Sequence, residues 1–115
     1  MSTIHQTDEQ AVLDVIASMQ DEDRLIAEKL HDIIKSNAPS LWARTWYGMP
    51  AYTNGKKIIC FFRSRKKFGE RYMTLGFNDS AKLDEGTVWP IYFALTALTA
   101  DDEARIAELV KRAVA

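Results

Sequence analysis

The chain reads as an α+β domain in which an N-terminal helical pair and a C-terminal helix pack on an antiparallel sheet of about four to five strands. Three observations predict this class. Apolar residues recur at helical spacing before residue 38 and again after residue 99, the stretch between them is apolar or alternating as strands are, and Asn54-Gly55 places a hairpin signal inside it. The order helix, helix, strands, helix separates the two structure types along the chain instead of alternating them, which is the α+β pattern. With 115 residues the chain fits a single domain, 1–115, and folding at that size removes roughly two-thirds of the unfolded surface from water.

Each element follows from its residues. Thr7 and Gln10 have the spacing of a capping box and predict the start of the first helix there, with Val12, Val15, Ile16 and Met19 as its apolar stripe. Asp21 reads as the cap of a second helix whose first turn carries Glu22 and Asp23, where the helix dipole favours acids. Leu25, Ile26, Leu30, Ile33 and Ile34 give its buried face, and Pro39 stops it by Ala38. "SLWARTWYG" predicts one further helical turn or two, capped by Ser40 and ended by Gly48. In "AYTNGKKIICFFR" the Asn54-Gly55 pair joins two extended arms, with Thr53 and Lys56 facing each other across the turn.

"IICFF" is apolar on both alternating faces, so its strand is covered on each side or central. "RYMTLGF" puts Met73, Leu75 and Phe77 on one face and Tyr72, Thr74 and Gly76 on the other. "NDSAKLDEGT" is a polar connection with room for a short strand at Lys82-Leu83. "VWPIYFALTAL" is the last strand, with Pro90 at an edge or bulge, and a buried helix over 91–98 is the competing reading. Thr99 caps the final helix, whose early Asp101, Asp102 and Glu103 and late Lys111 and Arg112 match the dipole. Its stripe is Ile106, Leu109, Val110 and Ala113.

Composition narrows the function classes. No apolar run approaches the roughly 20 residues of a membrane helix, and "MSTIHQTDEQ" has neither the basic start nor the apolar stretch of a secretory signal. A cytoplasmic protein without a membrane partner is expected. The single cysteine, Cys60, excludes an internal disulfide and multi-cysteine metal sites. Charge is uneven. Residues 1–38 hold eight acids and three bases, 39–98 nine bases and four acids, and 99–115 four acids and three bases, so an acidic helical part precedes a basic middle.

Chemical motifs are sparse, and no catalytic constellation is recognisable. Glu28 and His31 form an E-x-x-H pair without the second pair and further glutamates of a di-iron bundle, so His31 is expected to be an exposed, structurally ordinary residue. Cys60 inside "IICFF" reads as a small buried hydrophobe, not a nucleophile. No serine elbow, phosphate loop or dinucleotide fingerprint occurs. The segment Arg63 to Arg71 combines Arg63, Arg65, Lys66, Lys67 and Arg71 with Phe62 and Phe68, which suits weak nucleic-acid binding but suits a solvated strand connection better. Asp8, Glu9, Asp14, Glu22 and Asp23, with Asp21, offer hard oxygen ligands for a metal, and helix capping accounts for acids at those places equally well.

The densest feature is "TWYGMPAY". Gly48 and Pro50 fix a change of chain direction, and five bulky residues around one glycine cannot all point inward. Trp46, Tyr47, Met49, Pro50 and Tyr52 are therefore the candidate lining of a ligand or partner pocket, with Phe62, Trp89 and Tyr92 as further walls. Pure core packing is the alternative.

At Trp46, Gly48, Met49, Pro50, Ala51 and Tyr52 the chain resembles the YdhG-like family of bacterial domains of unknown function. A lysine-bearing hairpin, a "TLGF" strand and a final helix with "ARIAELVKRA" extend the resemblance over nearly the whole length. It implies a layout broadly like frataxin, and some relatives have been assigned as iron chaperones, which implies a possible iron cofactor handled by the acidic N-terminal helices. No iron-ligand motif is matched residue by residue. "DEGTVWPIYFALTAL" also departs from the glycine-rich stretch that many relatives have before the last strand. The leading expectation is a non-enzymatic domain for an unknown small molecule or protein partner, as a monomer or homodimer, with iron handling and nucleic-acid binding as alternatives.

Overall fold

The computed structural model describes residues 3–115 and the side chains from His5 onward. The elements are α1 (Thr3–Ala17), α2 (Asp21–Asn37), β1 (Trp42–Trp46), β2 (Met49–Thr53), β3 (Ile58–Arg63), α3 (Arg65–Phe68), β4 (Met73–Phe77), β5 (Tyr92–Leu95) and α4 (Ala100–Ala113). The strands form one antiparallel sheet in the order β1-β2-β3-β4-β5. β3 is central, which is why "IICFF" is apolar on both faces.

One main core fills the space between sheet and helices. It joins Val12 and Ile16 of α1, Ile26, Leu30 and Ile34 of α2, and Ile106, Val110 and Ala113 of α4 to Tyr52, Phe62, Met73, Leu75, Phe77 and Leu95 of the sheet. A second, smaller cluster of Met49, Ala51 and Phe61, flanked by Trp46 and Ile58, lies on the opposite face and includes no helical residue. The alternation predicted for β4 explains the split, since Met73, Leu75 and Phe77 face the helices while Gly76 pairs with Phe61 on the other side. α4 carries the expected cap: Thr99 Oγ1 accepts from Asp102 N (3.1 Å), and Asp102 Oδ2 accepts from Thr99 N (3.0 Å).

Five local expectations are corrected. α1 starts at Thr3, not Thr7, and Gln10 donates to Asp14 (2.9 Å) instead of closing a box. The His5 ring stacks on Trp42 at 4.0 Å, a tertiary contact made by the additional turn. Leu25 is exposed, because Ile26, Leu30 and Ile34 define the buried face and Leu25 stands about 100° away around the helix. "SLWARTWYG" is not helical: its Trp42–Trp46 part is a strand, and Trp46 pairs with Met49 across a two-residue turn. Tyr47 and Gly48 have φ of 51° and 74°, so Gly48 serves a type I′ hairpin turn and not a helix end. The Asn54-Gly55 hairpin is present, but Thr53 pairs with Ile58 and the loop covers 54–57. Asn54 Oδ1 accepts from the amides of Lys56 and Lys57, both at 2.9 Å, which stabilises this longer loop. Finally, Lys82-Leu83 is not a strand; Lys82 N donates to Ala113 O (3.1 Å) and Leu83 is buried beneath α4.

Candidate functional site

The short helix α3 turns the chain between β3 and β4 and is tied down on two sides. Asp23, 3% exposed at the start of α2, accepts from Arg65 N (3.0 Å) and Arg65 Nε (2.7 Å). Lys67 Nζ donates to Gly48 O (3.0 Å), linking α3 to the β1–β2 turn. Arg63 pairs with Glu70 through Nε and Nη2 at 3.0 and 3.2 Å, and Arg63 and Lys67 both stand over the Phe68 ring. Three of the five cations in the Arg63–Arg71 segment are thus engaged in holding the fold, and Arg71 lies over Tyr72.

These ties enclose a cleft of about 460 Å³ at the end of the sheet. Val15 and Met19 of α1, Met49 and Pro50 of β2, and Phe68 of α3 form its apolar wall. Lys66, Lys67 and Arg63 put positive charge on its rim, with Asp23 as the one acid. That size and mixture of an apolar wall with a few polar groups suit a small ligand.

The sequence-predicted pocket residues are divided among four places. Met49 and Pro50 line the cleft. Tyr52 and Phe62 are fully buried in the main core. Trp46, Tyr47 and Tyr92 lie on the sheet side of the smaller cluster, where Trp46 and Tyr92 meet Phe61 and Tyr47 meets Trp46. Trp89 lines a separate hollow of about 200 Å³ beside Leu109 and Arg112. Alternation along β2 accounts for part of the division, because Tyr52 faces the main core while Met49 and Ala51 belong to the smaller cluster.

His31 corrects an expectation. It is 8% exposed, with Nδ1 2.8 Å from Tyr52 Oη and Nε2 3.4 Å from Glu9 Oε2. Burial first, then the charges of Cys60, Glu9 and Asp32, hold the Tyr52 phenol well above its ordinary range and therefore protonated. The imidazole thus bridges the Tyr52 hydroxyl through Nδ1 and the Glu9 carboxylate through Nε2. Carboxylate, imidazole and hydroxyl follow one another as in a catalytic relay, but the phenol is sealed from any substrate. The trio is a clamp joining α1, α2 and β2. Cys60 is also sealed, its thiol pushed up to about 12 by burial.

The acids proposed for a metal are largely engaged elsewhere: Glu9 serves His31 and Lys35, Asp14 accepts from Gln10, Asp21 pairs with Arg24, and Asp23 holds Arg65. Among the described residues, no three His, Cys, Asp or Glu side chains are grouped to hold a metal ion, and no helix is long and apolar enough to cross a membrane. No family model, curated protein or solved structure matches the chain.

Proposed function

We propose that the protein is a non-enzymatic cytoplasmic binding domain whose cleft takes a small ligand with an apolar body and an anionic group. The observation that carries this reading is the cleft itself, where Met49, Pro50 and Phe68 offer apolar contact below a rim that carries Lys66 and Lys67. An apolar body gains from leaving water at the wall, and an anion gains most beside cations that are partly shielded from solvent. The "GMP" part of the signature motif supports the same reading, since it builds one side of the cleft.

Native mass spectrometry of protein purified from a bacterial cytoplasm without chelator, with a denaturing spectrum of the same sample, tests it. The expected result is additional organic mass lost on denaturation, or restored by adding aliphatic or aromatic carboxylates. Phe68→Ala and Lys66→Glu should each reduce its occupancy. No retained mass together with no thermal stabilisation by such carboxylates would refute the reading. Iron in place of an organic ligand, lost on Glu9→Gln, would replace it with the iron-handling alternative.

A further inference from the structure

The sheet face turned away from α1, α2 and α4 has its own construction. Cross-strand register aligns Arg44, Ala51, Phe61, Gly76 and Tyr92 in one row. The missing side chain at Gly76 makes room for the Phe61 ring, since a Cβ there would come 2.5 Å from Phe61 Cζ. Tyr92 and Trp46 meet that ring edge-on at 5.7 and 5.4 Å, and Tyr47 meets Trp46 edge-on at 5.2 Å. Four rings therefore run without interruption from the β1–β2 turn to the edge strand. Phe61 is covered by its neighbours, whereas Tyr47 and Tyr92 are 82% and 56% exposed.

Core packing does not account for Tyr47. It occupies the first central position of a type I′ turn, with φ of 51°, where asparagine or glycine is the unstrained choice and a bulky aromatic is an outlier. An exposed ring held at a backbone cost points to use of that ring. Charge gives a second, independent indication. The five strands contain two arginines and no acid, and Lys67 stands against the Gly48 carbonyl next to Tyr47. Arg63 is neutralised by Glu70, whereas Arg44 is exposed on the face and pairs with no acid among the described residues.

We propose that this face binds single-stranded nucleic acid, with bases stacked on Tyr47, Trp46 and Tyr92 and a phosphate drawn to Arg44. Every base presents a π-face, so stacking on such rings tolerates any sequence, and a β-sheet displaying aromatic rings suits unpaired bases that can be splayed out. Exposed rings beside an arginine, on strands that carry no acid of their own, match a chain that alternates aromatic bases with negative charges.

Fluorescence anisotropy with labelled oligodeoxythymidine and oligouridine at low salt tests the proposal. The expected result is saturable binding that weakens as salt rises, with Arg44→Ala reducing the salt dependence by about one phosphate contact. Tyr92→Ala and Tyr47→Asn should each weaken binding by about tenfold or more. Asparagine suits the turn at position 47, so loss of binding there cannot be ascribed to unfolding. No binding by the native chain, unchanged affinity in both tyrosine variants, or equal affinity for a duplex of the same length would overturn the proposal. So would a native mass showing a dimer that Tyr92→Ala dissociates, which would assign the face to self-association.

Discussion

Replacing Asp23 with alanine should be one of the most damaging single changes to the cleft, and its size follows from the geometry. The carboxylate accepts from both the Arg65 amide and Nε, its side chain is 4% exposed, and that of Arg65 is 24% exposed. Removing one partner of a fully buried ion pair costs about 3–5 kcal/mol, since the other charge is left unpaired. The guanidinium here reaches some water, which lowers the figure, but Arg65 Nη2 is buried without a hydrogen-bond partner, so no second acceptor stands ready. The amide of Arg65 is also orphaned. We expect a loss of about 2–4 kcal/mol, discounted from the buried-pair range. For a domain slightly above 100 residues, that corresponds to a melting temperature lower by roughly 8–16 °C. Urea unfolding monitored by circular dichroism measures the change, and a double-mutant cycle with Arg65→Met isolates the coupling. The double variant should recover at least about 1 kcal/mol relative to Asp23→Ala, because it removes the unpaired charge. A loss below about 0.5 kcal/mol, the size of an ordinary surface change, would refute the view that this pair anchors α3.

Three further outcomes follow from the structure. Gly76→Ala should destabilise the fold by about 1–3 kcal/mol, as overpacking does, and shift the edge-on ring contacts of Phe61; an unchanged urea midpoint would show that Phe61 moves aside freely. The Cys60 thiol, buried and held at about 12, should resist iodoacetamide in the native protein and react only after unfolding, as followed by mass. The Asp102 carboxyl is held below its ordinary value by the Thr99 backbone hydrogen bond first and the Thr99 side chain second. Its folded-state pKa is depressed, so its contribution is present above the unfolded value of about 4 and is lost as pH falls through the folded one. Asp102→Asn should therefore be less stable than the native chain at neutral pH and approach it in acid; a constant gap would mean the cap does not depend on ionisation.

Local pattern was enough to place most elements, and long-range pairing supplied what it missed. "IICFF", the Met73-Leu75-Phe77 face and the Thr99 cap were legible because each depends on neighbours in sequence. β1 was hidden because Ser40 and Gly48 are as suited to bounding a helix as Tyr47-Gly48 is to turning a hairpin, and only pairing with β2 decides between them. His31 read as ordinary since its partners Tyr52 and Glu9 are about twenty residues away on either side. The cleft was half legible: "GMP" marked one wall, but nothing local to Arg65 or Lys67 announces that Asp23 and Gly48 will hold α3 opposite it. Sequence proximity makes the aromatic signature resemble one pocket because it conceals that successive strand residues face opposite ways.

The strand order has a consequence for how the chain assembles. Every hairpin in β1-β2-β3-β4-β5 joins strands that are consecutive in the sequence, so the sheet can zip from one turn to the next with little loop entropy to overcome. The cover for its inner face arrives on a different schedule. Ile106, Val110 and Ala113 belong to α4 and pack against α2, which is separated from α4 by the whole sheet. During synthesis the meander can therefore exist while Leu75, Phe77 and Leu95 still lack the final helix above them. During that interval their apolar surface is open to water, and chaperone contact should concentrate there.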